Sequence, residues 1–307
     1  MMEKILLGVV FLADCLILSS CVTHHFIFVS QSLTWTEAQN YCREKYTDLA
    51  TIKNDEEMKQ LNNTLKSALH ISEAWIGVYS VIDWKWSNGF NGSGADYRNW
   101  ATYDDDPDFV SANQFCVCTD LHGRWWDDYC TLEYPFICYN GTQLHPEFVL
   151  VNKPMNWIKA KEYCRNNFID LATVRNNNEN QKFQSLVPSG NWAWIGLFRD
   201  PDFYWSDRSN FLFSNWGTGS NLIGSMTAIC GETSLTKSGN WKFRSCETQL
   251  PFICYSIQAE MKHTVKLSLK TEDSDDVINP VLKGKLQKKL QDRLEEKGVT
   301  GITMKWI

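Results

Sequence analysis

Two short acidic stretches hold the residues whose types and spacing suit chemistry. The chain reads Asp104-Asp105-Asp106-Pro107-Asp108 and, further on, Trp126-Asp127-Asp128. Carboxylates this dense suit either paired acid and base work or the all-oxygen coordination that a hard cation such as Ca2+ takes, with about six to eight oxygens. A solvated acidic loop is the third reading. Other catalytic parts are missing from the sequence. There is no Gly-x-Ser-x-Gly, no His-Glu-x-x-His and no phosphate-cradling glycine loop, and the 6 histidines show no ligand spacing. A binding protein, not an enzyme, is therefore expected.

The second reactive group is cysteine, with 11 in 307 residues. Met1 to Lys4 followed by the apolar run Ile5–Leu18 and the small residues Ser19 and Ser20 matches a secretory signal, expected over residues 1–21. Asp14 interrupts the run, which is shorter than the roughly 20 residues a bilayer core needs, so no transmembrane anchor is expected. An oxidising, extracellular compartment makes regularly spaced cysteines disulfides before metal ligands. The acceptor triplets at Asn62, Asn91 and Asn140 agree with glycosylation on that route. A formal net charge of -6 gives no cationic field for nucleic acid. The 14 tryptophans call for packing or binding roles, not a solvated chain.

The elements that must position these groups occur twice. Trp35, Ala38, Tyr41-Cys42-Arg43 and Asp48-Leu49-Ala50-Thr51 return at one constant offset as Trp157, Ala160, Tyr163-Cys164-Arg165 and Asp170-Leu171-Ala172-Thr173. Trp75-Ile76-Gly77 and Pro135-Phe136-Ile137-Cys138 return as Trp194-Ile195-Gly196 and Pro251-Phe252-Ile253-Cys254. A duplication with length differences in its loops explains both sets. In the first copy, Trp35, Ala38, Cys42 and Tyr46 step at helical spacing behind Thr34 and Glu37, a capping pair. Leu49–Ile52 suits a short strand, Asp55–Leu69 a second helix and Ala74–Val78 a buried strand. The Gly-, Asn- and Asp-rich stretch from Asn88 to Pro107 is too long for an ordinary connection. Phe115–Cys118 and Pro135–Tyr139 suit closing strands.

Taken in order, the helix cysteine, the Trp-Ile-Gly strand, the long loop, two further cysteines around a tryptophan and the Phe-x-Cys ending resemble the C-type lectin-like family. The resemblance covers residues 24–139 and 146–256. It implies an α+β fold: two tandem domains, each with two helices flanking small antiparallel sheets and a long ligand loop. It also implies the pairings Cys42 with Cys138, Cys116 with Cys130, Cys164 with Cys254 and Cys230 with Cys246. Cys118 is left over. Metal binding or exchange with Cys116 and His122 is one reading for it, a buried or intermolecularly paired thiol the other.

In calcium-dependent members a proline-containing tripeptide in the loop, a Glu before the next cysteine and a Trp-Asn-Asp strand hold ion and sugar together. Carried over, Asp106, Asp108 and Asp127 become metal ligands, and Gln114 and Trp126 join them as ligand- or sugar-binding positions. Gln114 stands where the family has Glu, and Trp126 where it has Asn; an indole donates and cannot coordinate. Shifting by one residue would let Asp128 supply an oxygen as well. Trp126, Phe211 and Phe213 are candidates to stack on sugar rings, with core packing as the alternative. The second copy's loop, Gly217–Gly224, holds no carboxylate, so Ca2+ is expected in the first domain alone, and changes at Ser220, Asn221 or Lys242 are expected to leave its effect intact.

The tail, residues 259–307, reads as a strand-helix-strand extension too small to bury a core alone. The function expected is a secreted protein that recognises a glycan or glycoprotein. A calcium-independent scaffold for a protein partner is the alternative.

Overall fold

A computed structural model describes residues 19–262 apart from 70, 71, 143 and 238, and a few positions between 284 and 292. The signal run and nearly all of the tail expectation lie outside the described residues.

The first copy runs β1 (Ser19–Leu33), α1 (Trp35–Lys45), β2 (Asp48–Leu49), α2 (Asp55–Ser67), β3 (Glu73–Val81), β4 (Lys85–Trp86), the long loop, β5 (Cys116–Thr119), β6 (Trp125–Asp128) and β7 (Tyr134–Gly141). The second repeats this as β8 (Pro146–Met155), α3 (Trp157–Asn167), β9 (Asp170–Leu171), α4 (Asn177–Gln184), β10 (Ala193–Phe198), β11 (Tyr204–Trp205), a loop, β12 (Ala228–Ser234), β13 (Trp241–Ser245) and β14 (Leu250–Lys262). The capping pair on α1 acts as expected. Thr34 and Glu37 close a capping box on α1, and Asn54, Asn156 and Asn176 cap α2, α3 and α4 with their side chains. Gly77 and Gly196 let β3 and β10 approach the chain beside them. A Cβ at either would lie 3.1 Å from two backbone oxygens.

The two copies do not close on themselves. One sheet has the order β1-β14-β3-β12-β13, with β11 on β3 and β2 on β14; the other has β6-β5-β10-β7-β8, with β4 on β10 and β9 on β7. Each sheet thus joins the first half of one copy to the second half of the other. An inner module, roughly residues 84–200, is continuous in sequence, and an outer module is made from the chain on either side of it. Equivalent bonds cross between copies in both modules. Arg43 donates to Asp48 of its own copy and to the Ser206 carbonyl of the other, and the Ser206 hydroxyl donates to Asp48. Arg165 bonds Asp170 and the Ser87 carbonyl, and the Ser87 hydroxyl donates to Asp170 at 2.6 Å, in mirror roles.

This exchange corrects two expected disulfides. Cys116–Cys130 and Cys230–Cys246 form as expected, but Cys42 pairs with Cys254 and Cys138 with Cys164. Connection length explains why. Gly141, at φ +81°, turns β7 directly into β8, and the strands pair as a hairpin from Gly141↔Pro146 to Tyr134↔Met155. That local pairing closes a short loop at little entropic cost. It brings Cys138 to Cys164 across only 26 residues, and β1 is then left to pair with β14. Because the copies present similar edges, either partner satisfies the same contacts, and the connection decides. In the loop-entropy model the bridges constrain the unfolded chain by about 5 kcal/mol for Cys42–Cys254 and about 3.5 kcal/mol for Cys138–Cys164.

A fragment of residues 84–200 should therefore fold alone, since it carries one complete module with both of its disulfides. Cooperative thermal unfolding, read by near-ultraviolet circular dichroism, checks this. If each copy closed on itself, the same fragment would hold two unmatched halves and show no transition.

Candidate metal centre and ligand loop

The first copy's long loop leaves β4, packs Trp86, Tyr97 and Trp100 around Trp125, and reaches the acidic stretch after a short turn at Thr102–Asp104. The Asp106-Pro107 peptide is cis. Asp127 comes from β6, whose alternation sends it toward the loop and Asp128 to the other side. There Asp128 accepts from the Tyr134 hydroxyl at 2.8 Å and from the Tyr129 backbone. The one-residue shift thus supplies no second oxygen from β6.

Oxygens of Asp106, Asp108 and Asp127 all lie within 4.8 Å of one another. Asp127 accepts the backbone N–H groups of Asp108 at 2.9 Å and Phe109 at 3.0 Å, which pins the loop to the strand. Asp106 and Asp127 are buried, and burial holds both carboxyls above the ordinary carboxylate range, with the neighbouring carboxylates adding to the effect. Asp108 is raised too, chiefly by burial and against a hydrogen bond from Ser220. Arg199, a buried cation just after β10, acts on Asp127. Its guanidinium lies 3.8 Å from the Phe109 ring centre, and burial lowers its pKa to about 10 against the pull of Asp127 and Asp202. Three carboxylates crowded in this way fit a hard divalent cation, whose charge would relieve their repulsion.

Gln114 and Trp126 face inward. The Gln114 carbonyl accepts from the Val110 backbone at 2.5 Å, so that oxygen shapes the loop. Trp126 is 8% exposed, donates to Asp104 at 3.3 Å and meets Trp192 edge-on, so its ring face is not open to a sugar. Phe211 and Phe213 pack against the outer core. Cys118 is fully buried and Cys116 is bonded to Cys130, so neither metal binding nor an intermolecular bridge at Cys118 fits.

The second copy's loop proves inseparable from the first. Ser220 donates to Asp108 at 2.7 Å, the Asn221 backbone to the Asp108 carbonyl at 2.7 Å, and Gly224 to the Pro107 carbonyl. The Asn221 amide donates to the Phe109 carbonyl and accepts from the Phe243 backbone. The expectation that Ser220 and Asn221 are independent of the acidic stretch is therefore replaced by direct contact. Phe109, fully buried in the outer core, stacks on Phe203 and Phe243. Nothing in its sequence neighbourhood signals this role, because its partners come from the other copy. Phe109→Ala should cost about 3–5 kcal/mol in a chemical-denaturation curve.

The Lectin C-type domain model matches residues 31–140 and 153–256. The chain is 25% identical over 279 residues to the secretory phospholipase A2 receptor of Bos taurus, an alignment covering 78% of this chain and 18% of the receptor. It is 25% identical over 267 residues to human lymphocyte antigen 75, covering 73% and 14%. It thus spans under a fifth of the length of these relatives. Among solved structures, human lithostathine aligns at TM-score 0.33 and 12% identity over 76% of this chain and 84% of its own. CEL-I from Cucumaria echinata aligns at 0.31 and 12% over 77% and 91%. No helix among the described residues is long and apolar enough to cross a membrane. The repeated motifs, the α+β modules and the family model over most of the chain agree: the chain belongs to the C-type lectin domain family.

Proposed function

We propose that the chain is an extracellular recognition protein that binds glycans through a divalent cation held by Asp106, Asp108 and Asp127. The observation that carries this reading is the convergence of three crowded carboxylates, two from the family's ligand loop and one from β6. Ca2+ there would present open coordination positions to vicinal sugar hydroxyls. This chain's residues supply the three carboxylates, the N–H groups of Asp108 and Phe109 that hold Asp127, and the Ser220 contact that aims Asp108. Asn91 is the acceptor best placed for glycosylation, being exposed in the loop, whereas the Asn62 amide packs against Gly239. The test is a glycan array probed with the secreted chain in Ca2+ and again in chelator. Chelator-sensitive signal is expected, and equal signal in both arms would remove the cation from the function.

A second reading, a protein-binding scaffold, draws support from Gln114 and Trp126. Both are committed to internal contacts where calcium-dependent members offer a ligand.

A further inference from the structure

Away from the carboxylates, the exchange builds a cleft that neither copy could form alone. Its volume is about 340 Å³. Ser111, Asn113 and Phe115 line it from the first copy, and Phe203, Phe211, Ser214 and Trp216 from the second. The aromatic walls support one another, Phe203 lying 5.1 Å from Phe211 and 5.2 Å from Trp216 between ring centres. Those four rings are only partly buried, so their edges and faces border the cleft. No charged side chain among the described residues lines it. Among the described residues, no internal hydrogen bond uses the side chains of Ser111, Asn113 or Ser214. The first copy's side of the cleft is also held in a strained backbone. Phe109, Ser111 and Ala112 have φ of 43°, 55° and 52°, the left-handed region that residues with a Cβ seldom adopt.

Aromatic surface and uncommitted neutral donors and acceptors, in a cleft at the small end of ligand-pocket sizes, define the class of ligand. It has an apolar face, several hydroxyls, no charge and about one ring's bulk. We infer that this inter-copy cleft is a second, cation-independent site for one neutral pyranose ring, whose C–H face packs on Phe211 and Trp216 while Asn113, Ser111 and Ser214 meet its hydroxyls. An apolar side chain of a partner would leave those polar groups unpaired, and an acidic sugar would meet no cation. The site uses none of the three carboxylates.

Saturation-transfer NMR on the full chain in chelator tests this, with the methyl glycosides of glucose, galactose, mannose and N-acetylglucosamine as probes and acetyl-phenylalanine amide as the apolar control. Irradiating aromatic protons should saturate the ring C–H protons of at least one glycoside, with millimolar affinity. Asn113→Ala should weaken that binding about threefold to tenfold. Phe211→Ala should abolish it. Binding should be equal in Ca2+ and in chelator, which separates this site from the cation-dependent reading. Asn113 is exposed, so its variant keeps the test informative if Phe211→Ala fails to fold. Transfer to none of the four glycosides, transfer to the apolar control alone, or wild-type binding by Asn113→Ala would overturn the proposal.

Discussion

Cut at a protease site engineered after Leu144, the chain should still run as one full-mass species without reductant and split into two fragments with it. Leu144 is 86% exposed in the connection between β7 and β8, so a site there is accessible. The fragments on either side are joined twice, by Cys42–Cys254 across 212 residues and by Cys138–Cys164. Closure of each copy on itself would leave no covalent link, and two bands would appear before reduction. Peptide mapping of the uncut chain reads the same difference, and recovery of Cys42 joined to Cys138 would overturn the exchanged fold. The outcome is all or nothing because a disulfide either spans the cut or does not.

Calcium should bind with one ion per chain, and replacing Asp106 and Asp108 with Ala should remove the binding in a calorimeter. At tenfold its dissociation constant an ion stabilises the native state by about 1.4 kcal/mol, worth about 3–6 °C in melting temperature for a unit of this size. The pH dependence follows from the direction of the shifts. Asp106 and Asp127 are held above the ordinary carboxylate range by burial, so the ion-free native state keeps protons the unfolded chain has already released. Ion-free stability therefore falls as pH rises above about 4, toward the raised native values. Calcium must displace those protons, so affinity should rise with pH and the binding heat should depend on the buffer. Ser220→Ala should weaken the ion, since its hydroxyl aims Asp108. An equal melting shift in the double variant would place the ion elsewhere.

Motif order and local spacing were enough to read the repeat, the cap on α1 and the Trp-Ile-Gly strands, while the eight bonded cysteines and the three converging carboxylates were implied by the resemblance to the C-type lectin-like family. Each depends on residues close in sequence or on types that one environment demands. Thr34 and Glu37 meet because a helix turn brings them together, and buried cysteines in an oxidising compartment pair with whatever thiol is near. The internal contacts of Gln114, Trp126 and Asp128 were not legible because their side chains' directions depend on loop packing and strand alternation, which spacing does not report.

The sequence by itself determined what each segment is: which are helices, which are strands, and which surfaces they must bury. Only the tertiary structure decided which copy supplies the partner. Duplicated segments carry similar patterns, so the local sequence does not say whether β3 pairs with strands of its own copy or of the other. The short connection from Gly141 to Pro146 makes the β7–β8 hairpin the cheaper closure. From that one choice follow Cys42 on Cys254, Phe109 in the outer core and a cleft between two loops.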